Sequence, residues 1–492
     1  MAYEAHQPYL KAFDREQAPN WLQTLAERAG VIMNAHRYLD LGCAAGHSTL
    51  ALAPMYPDTQ FVGVDFNAGH IAMAQAEAKR LGLHNCTYIQ ADFRDVPNSV
   101  GVADVLMVRG IYSWLSLEAK SALEALLGSL ATPTALLRLH YTVLPGGMVR
   151  DALGKVIQAS GGATLGVEGG HALVSLLTQH APALHRHLVT AADTLAQTLK
   201  QPHELWVHDL LNDDYRAEYA SDVFDRLARQ GYAFAAATSV ERNIPMLLVD
   251  PPVLCKLQSW NTGATQTLLD VFTFNDGRSD VFVRGQETNW HTGQYSPATR
   301  WGLVLPEADW FKPVTIPRGS LRFEHPDVVA LIKSLRDAPL TFGVMQAKHP
   351  SLKGVALRDW VDLLWAGGKV APFLSTEHAS SIDRDRTRRI NRERIAWANA
   401  ELSPKTRVPL LAAEYGNCLV AGWFECMVLA HYEKRHHVGT QRNMLSRMHK
   451  AGMAFKGTDG NPHADQFKAF QAALALLETN YMTRMAYWGI DI

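Results

Sequence analysis

At 492 residues the chain exceeds what one ordinary hydrophobic core organises, so roughly two to four domains are expected. Hydrophobic residues make up 47% and charged residues 19%, which supplies ample core and excludes a largely disordered protein. A formal net charge of −1 offers no broad basic footprint to a polyanion, so DNA and RNA are not expected as partners.

The chain opens with MAYEAHQPYL, which lacks the basic start and apolar run of a secretory signal, and no stretch of about 18 uninterrupted apolar residues follows. A cytoplasmic protein without a membrane partner is expected. From Arg37 to Thr142, short apolar runs alternate with helical stretches, as βαβ units do. Five strands are read: YLDLGC (38–43), FVGVDF (61–66), CTYIQADF (86–93), VADVLMV (102–108) and ALLRLHYT (135–142). Right-handed crossovers would make them a parallel, doubly wound α/β sheet of Rossmann type, with its ligand crevice beyond the C-terminal strand ends. Residues 148–202 read as a helical insertion broken at Gly161, Gly162, Gly169 and Gly170, running on through ALVSLLTQHAPALHRHLVTAADTLAQTL. The helix, glycine stop and strand of SDVFDRLARQG and YAFAAATSV would complete the first sheet. Beyond residue 315, HPDVVALIKSLRD and LRDWVDLLWAGGKVAPF suggest two helices of a small winged-helix module, followed by a mostly helical C-terminal portion. The expected domains are 1–150, completed by 203–245; a helical insertion and middle domain over 151–315; and an accessory domain over 316–492.

The sharpest signal is Tyr38-Leu-Asp-Leu-Gly-Cys-Ala-Ala-Gly46. An apolar strand ends in Asp40, Gly42, Cys43, Ala44 and Gly46 and enters a helix, and the glycines let the backbone turn tightly against a ligand. Asp65 and Phe66 end the next strand, where a carboxylate can accept both hydroxyls of a ribose. Asp92 and Phe93 end the third, suited to an adenine edge and the face of its ring. Three strand ends together describe an adenosyl pocket. A nicotinamide site would want GxGxxG, and Asp40 would repel its pyrophosphate while welcoming a sulfonium or an amino group. S-adenosylmethionine (SAM), leaving as S-adenosylhomocysteine, is therefore the expected cofactor.

These motifs, with GIYSWLS (110–116), HYTVLPG (140–146), LLNDDYRAEYASDV (210–223) and DVFVRG (280–285), resemble the bacterial class I methyltransferases that carry a methyltransferase regulatory domain, a group that includes the rickettsial protein lysine methyltransferases. The resemblance implies a SAM-dependent transferase acting on a protein or peptide side chain, a lysine amine above all. A small-molecule O- or N-methyltransferase and a non-catalytic SAM-binding scaffold stay open, because accessory domains can be kept while the acceptor changes. Two departures fall at strand ends: Arg109 precedes the GIYSW segment, and His140 stands in the fifth strand. Arg109 is expected on the cofactor side. Tyr112, Trp114 and Tyr141 are expected to line the acceptor side, where aromatic faces attract an alkylated ammonium and a tyrosine hydroxyl can orient the amine.

Other signals read as structural. Cys43, Cys86, Cys255, Cys418 and Cys426 show no CxxC spacing, so neither disulfides nor zinc are expected. His431, His436 and His437 lack acid or cysteine partners at ligand spacing, and no metal is expected. Asp250-Pro-Pro-Val253 lacks the aromatic of an exocyclic-amine motif and does not follow the fourth strand. The arginines between Arg384 and Arg394 alternate with Asp385 and Glu393, as on a solvated, ion-paired helix. Leu357, Val361, Leu364 and Trp365, with Trp360, sit at helical spacing and read as core.

Overall fold

Seven strands order themselves β3-β2-β1-β4-β5-β7-β6: β1 (Arg37–Leu41), β2 (Gln60–Asp65), β3 (Cys86–Gln90), β4 (Ala103–Val108), β5 (Ala131–Thr142), β6 (Tyr232–Ala237) and β7 (Gly277–Arg284). The computed structural model describes residues 13–492 other than 34, 181–188, 202, 258–259, 353–354 and 457–460. The five strands expected from the sequence are present and pair in parallel, with Leu39 level with Val62 on one side and Leu106 on the other. The YAFAAATSV segment supplies β6. The sheet is mixed rather than wholly parallel, because β7 runs antiparallel to both β5 and β6. That strand lies within the 151–315 stretch assigned to a middle domain, so the sheet draws on residues well past 245.

Alternate strand residues feed two cores, as the period of two requires. Tyr38, Phe61, Val105 and Val281 face one side. Leu39, Val62, Leu106 and Phe282 face the other. The first of these cores does not stop at the sheet: it continues through Trp301, Trp365, Phe373 and Leu410 into the C-terminal half. Helix Pro19–Arg28 is the bridge. Trp21 meets Trp365 edge to face at 4.9 Å, and Asn20 donates to the carbonyls of Pro372 and Tyr415 at 3.0 and 2.9 Å. Arg28 ends the bridge by binding Asp362, its Nη2 2.7 Å from Oδ2, while Tyr295 donates its hydroxyl to the same carboxylate.

The stretch read as a helical insertion holds helices Met148–Ala159, Gly166–His180 and Val189–Thr198, which share a small core with Trp206, Leu210 and Leu211; part of the long periodic stretch falls at 181–188, outside the described residues. Helices Pro326–Ser334, Phe342–Lys348 and Val355–Ala366 stand beside a three-stranded antiparallel sheet whose central strand is Arg300–Leu303. Leu357, Val361, Leu364 and Trp365 are core, as their spacing indicates, and Trp360 packs against that core while stacking on His325. The C-terminal portion contains a hairpin, Arg407–Ala412 with Asn417–Gly422, that the helical expectation missed. The arginine run forms helix Arg384–Ala400, bonded to acids on both its own and neighbouring elements.

Arg28 and Asp362 are 2% and 3% exposed, so removing either partner strands the other charge out of water. Asp362→Ala is expected to destabilise the fold by about 3–5 kcal/mol, read as a lowered denaturant midpoint. A midpoint equal to wild type would mean that the bridge between the two halves is not sealed from solvent.

Candidate functional site

After β1 the chain turns at Gly42 (φ +82), passes Ala44 (φ +47) and enters helix His47–Leu52 from Gly46 (φ +68). A Cβ on Gly42 would stand 2.7 Å from the Ile111 side chain, and one on Gly46 2.6 Å from the Tyr88 ring. Both positions therefore need glycine for backbone angle and for space. The amides of Gly42 and Cys43 donate to the Val64 carbonyl, and that of Ala44 donates to Asp65 Oδ2 at 2.9 Å. Asp65 Oδ1 takes the Asn67 amide, also at 2.9 Å. Asp65 thus ties the first loop to the end of β2, while each of its oxygens keeps a further lone pair for a ligand hydroxyl.

These strand ends border a cavity of about 390 Å³. Gly42, Ala44, Asp65, Phe66, Asp92 and Phe93 line it, and so do Arg109 and Trp114. Asp40, Cys43 and Gly46 lie behind this wall, with Asp40 only 6% exposed. Asp92 is less available than expected for an adenine edge: Arg94 grips both its oxygens at 2.8 and 2.7 Å and holds the carboxyl below the usual carboxylate range.

Tyr112 and Tyr141 do not line the cavity. Both are fully buried in the second core, edge to face with each other at 6.3 Å. The Tyr112 hydroxyl donates to Glu124 at 2.6 Å and accepts from Arg226, and the Tyr141 hydroxyl donates to Asp280 at 2.7 Å. Strand-end position put them near the site, but their side chains pack inside the second core and their hydroxyls are spent in ion-pair networks.

Sequence reasoning missed His70 and a polar part of the cavity lining. His70, 6% exposed, lies with Nδ1 3.6 Å from Asp65 Oδ1, lines the cavity, and has a buried Nε2 that finds no hydrogen-bond partner among the described residues. The cavity is also lined by His208, Asp209, Asn212 and Asp214. The only sequence signal for this stretch was the LLNDDY segment of the resemblance. His208 and Asp209 belong to a π-helical turn, Trp206–Leu210, a rare geometry found often at functional sites.

Asp40 is the electrostatic anomaly. Burial pushes its carboxyl up to about 7; Arg109 and Arg138 pull the other way, and the neighbouring Asp65 adds to the rise. Arg109 and Arg138 share Asp14, at 3.2 and 2.6 Å. Burial, with Arg138 and Arg109, depresses His140 to about 4, so the imidazole is neutral near physiological pH.

Comparison with known proteins agrees with this geometry. The profile of a family described as "Methyltransferase domain" matches residues 32–138. PKMT2 from Rickettsia typhi, solved in complex with AdoHcy, superposes with a TM-score of 0.70 over 98% of this chain and 99% of that one, at 15% identity, a likeness of fold. In sequence, the uncharacterized protein sll1526 of Synechocystis sp. is 24% identical over 338 residues, 65% of each chain. The uncharacterized protein RP789 of Rickettsia prowazekii is 31% identical over 27% of this chain and 25% of its own length. The matched stretches span less than two thirds of either relative. SAM fits the residues present: a ribose acceptor at Asp65, a close-approach glycine loop, and a buried carboxylate at Asp40 that lacks a full counter-charge.

The raised Asp40 value fixes a pH dependence. Before ligand binds, the carboxyl holds its proton up to about pH 7; a cationic ligand favours the carboxylate, so binding below that pH releases a proton. SAM affinity is therefore expected to be level above about pH 7 and to fall towards tenfold per unit below it, the limit for one linked proton. Asp40→Asn should flatten the curve. Calorimetry across pH 5.5–8 checks this, and a wild-type affinity that does not vary with pH would remove Asp40 from the binding equilibrium.

Proposed function

We propose that this chain, which carries a class I SAM-dependent methyltransferase domain, transfers a methyl group to a protein or peptide side chain, a lysine amine above all. The observation that carries the reading is the convergence of three strand ends, at Gly42, Asp65 and Asp92, on one cavity. When bound, SAM would supply an electrophilic methyl carbon: an acceptor amine, once its ammonium proton has passed to water, would form the new bond through its lone pair while the carbon–sulfur pair stays on sulfur, and S-adenosylhomocysteine would leave. The chain's own residues then have three tasks. Asp65 holds a ribose through its free lone pairs, the glycine loop lets the backbone approach the ligand, and Phe66 and Phe93 offer apolar faces to a purine. Excluding water falls to Trp114 and the turn Trp206–Leu210 across the cavity.

The macromolecular acceptor is supported by the layout. The likeness to PKMT2 extends over the accessory segments as well as the sheet, and these segments present a large surface beyond what a small metabolite needs. Incubating the full chain with methyl-labelled SAM and lysate from the source organism tests it. Label is expected in protein, on lysine after hydrolysis; label confined to small molecules would reassign the acceptor. Separately, Asp65→Ala is expected to weaken SAM binding by about 1.5–3 kcal/mol, the cost of losing hydrogen bonds to a charged group. An unchanged affinity in the folded variant would take Asp65 out of the site.

A further inference from the structure

The cavity has a second wall whose chemistry differs from the first. Trp114 lines it, its indole N–H donating to the carbonyl of Asp209 at 3.2 Å, and Asn212 donates to the Trp114 carbonyl at 3.3 Å. These bonds fix the aromatic ring to the π-helical turn. Asp209 is 8% exposed yet borders the cavity, with Asp214 further along the same wall. Among the described residues its carboxylate meets Arg150, whose Nη2 stands 3.4 Å from Oδ2 and whose guanidinium lies 5.6 Å from the centre of the Trp114 ring. That long contact, from an arginine 36% exposed at its side chain, leaves the carboxylate room for a second donor. Burial raises Asp209 to about 6 against the pull of Arg150, so it is largely ionised near neutrality.

The charge census of the cavity points the same way. Asp92 is closed off by Arg94 and Arg109 is answered by Asp14. Counted over the whole lining, four carboxylates, Asp65, Asp92, Asp209 and Asp214, stand against two guanidinium groups, Arg94 and Arg109. An anionic acceptor would be repelled here, whereas an ammonium meets a carboxylate beside an aromatic face.

We propose that Trp114, Asp209 and Asp214 form the acceptor subsite and that Asp209 is its specificity residue, receiving the ammonium of a cationic amine acceptor. This rests on the function proposed above and adds to it the wall that selects the acceptor. Arg150, reaching from helix Met148–Ala159, then keeps Asp209 charged between turnovers without closing the carboxylate.

The test needs no knowledge of the acceptor. Sinefungin carries an ammonium where SAM carries its transferable methyl, so its charge projects towards the acceptor wall, and S-adenosylhomocysteine is its uncharged counterpart there. Calorimetry gives the ratio of the two affinities for the full-length wild type, Asp209→Asn and Asp209→Ser. Either neutral variant suffices if the other fails to fold, and retained S-adenosylhomocysteine binding reports an intact nucleoside pocket. The expected result is unchanged S-adenosylhomocysteine affinity with a sinefungin preference reduced at least about tenfold, one charge-assisted contact, and restored in Asp209→Glu. An unchanged ratio in a variant that still binds S-adenosylhomocysteine would overturn the subsite and leave the proposed function standing. A wild type that binds neither compound would overturn both.

Discussion

Two carboxylates on adjacent strands organise the site. Parallel strands buried on both faces must all release their chains at one edge, and here β1 and β2 carry Asp40 and Asp65 to that edge, each less than a tenth exposed. Burial, and to a lesser degree the neighbouring Asp65, raise the Asp40 carboxyl, and Arg109 and Arg138 offset this only in part. Asp65 is engaged by backbone amides, which hold the glycine loop in place; Asp40 accepts no comparable bond from the described residues and holds its proton up to about pH 7. Two buried carboxylates so placed would favour a cation over a pyrophosphate at this edge.

Much of this was legible in the sequence, because the informative features are local. Asp40, Gly42, Gly46 and Asp65 lie at strand-to-helix junctions whose spacing is set by one strand and one turn. Failures occurred where side-chain direction mattered. Tyr141 follows the alternation of β5 to the sheet face where Arg278 and Asp280 of the adjoining strand β7 stand, and nothing near residue 141 in sequence announces a partner 139 residues away. Likewise β7 itself, and the hairpin Arg407–Ala412 with Asn417–Gly422, depend on partners that periodicity cannot supply. Asp209 was invisible for a related reason: its place on the cavity follows from a π-helical turn, and a one-residue change of helical register leaves no compositional trace.

The C-terminal half is not an appendage. Arg28 and Asp362 are 334 residues apart and form one buried pair, and Trp21 with Trp365 and Asn20 with Tyr415 seal the same seam. Apolar area shared this way cannot be separated cheaply: cutting the chain near residue 315 would expose the tryptophans that cover one face of the first sheet. Any surface the accessory elements offer to a macromolecule is therefore held in fixed relation to the cavity, which is what in-line transfer to a side chain on a large acceptor requires.

Arg109 shows how such a site tolerates a basic residue. Just past the end of β4 it borders a cavity lined by four carboxylates, Asp65, Asp92, Asp209 and Asp214, and an unanswered guanidinium there would oppose a cationic ligand. Asp14 removes the conflict: it receives Arg109 at 3.2 Å and Arg138 at 2.6 Å, and its carboxyl is held low by those two charges against the cost of burial. Asp14 in turn caps the short helical turn Arg15–Gln17 that leads into helix Pro19–Arg28. The same few residues near the start of the described chain thus neutralise the mouth of the site and begin the bridge to the C-terminal core, so the electrostatics of the cavity and the joining of the two halves are one structural commitment.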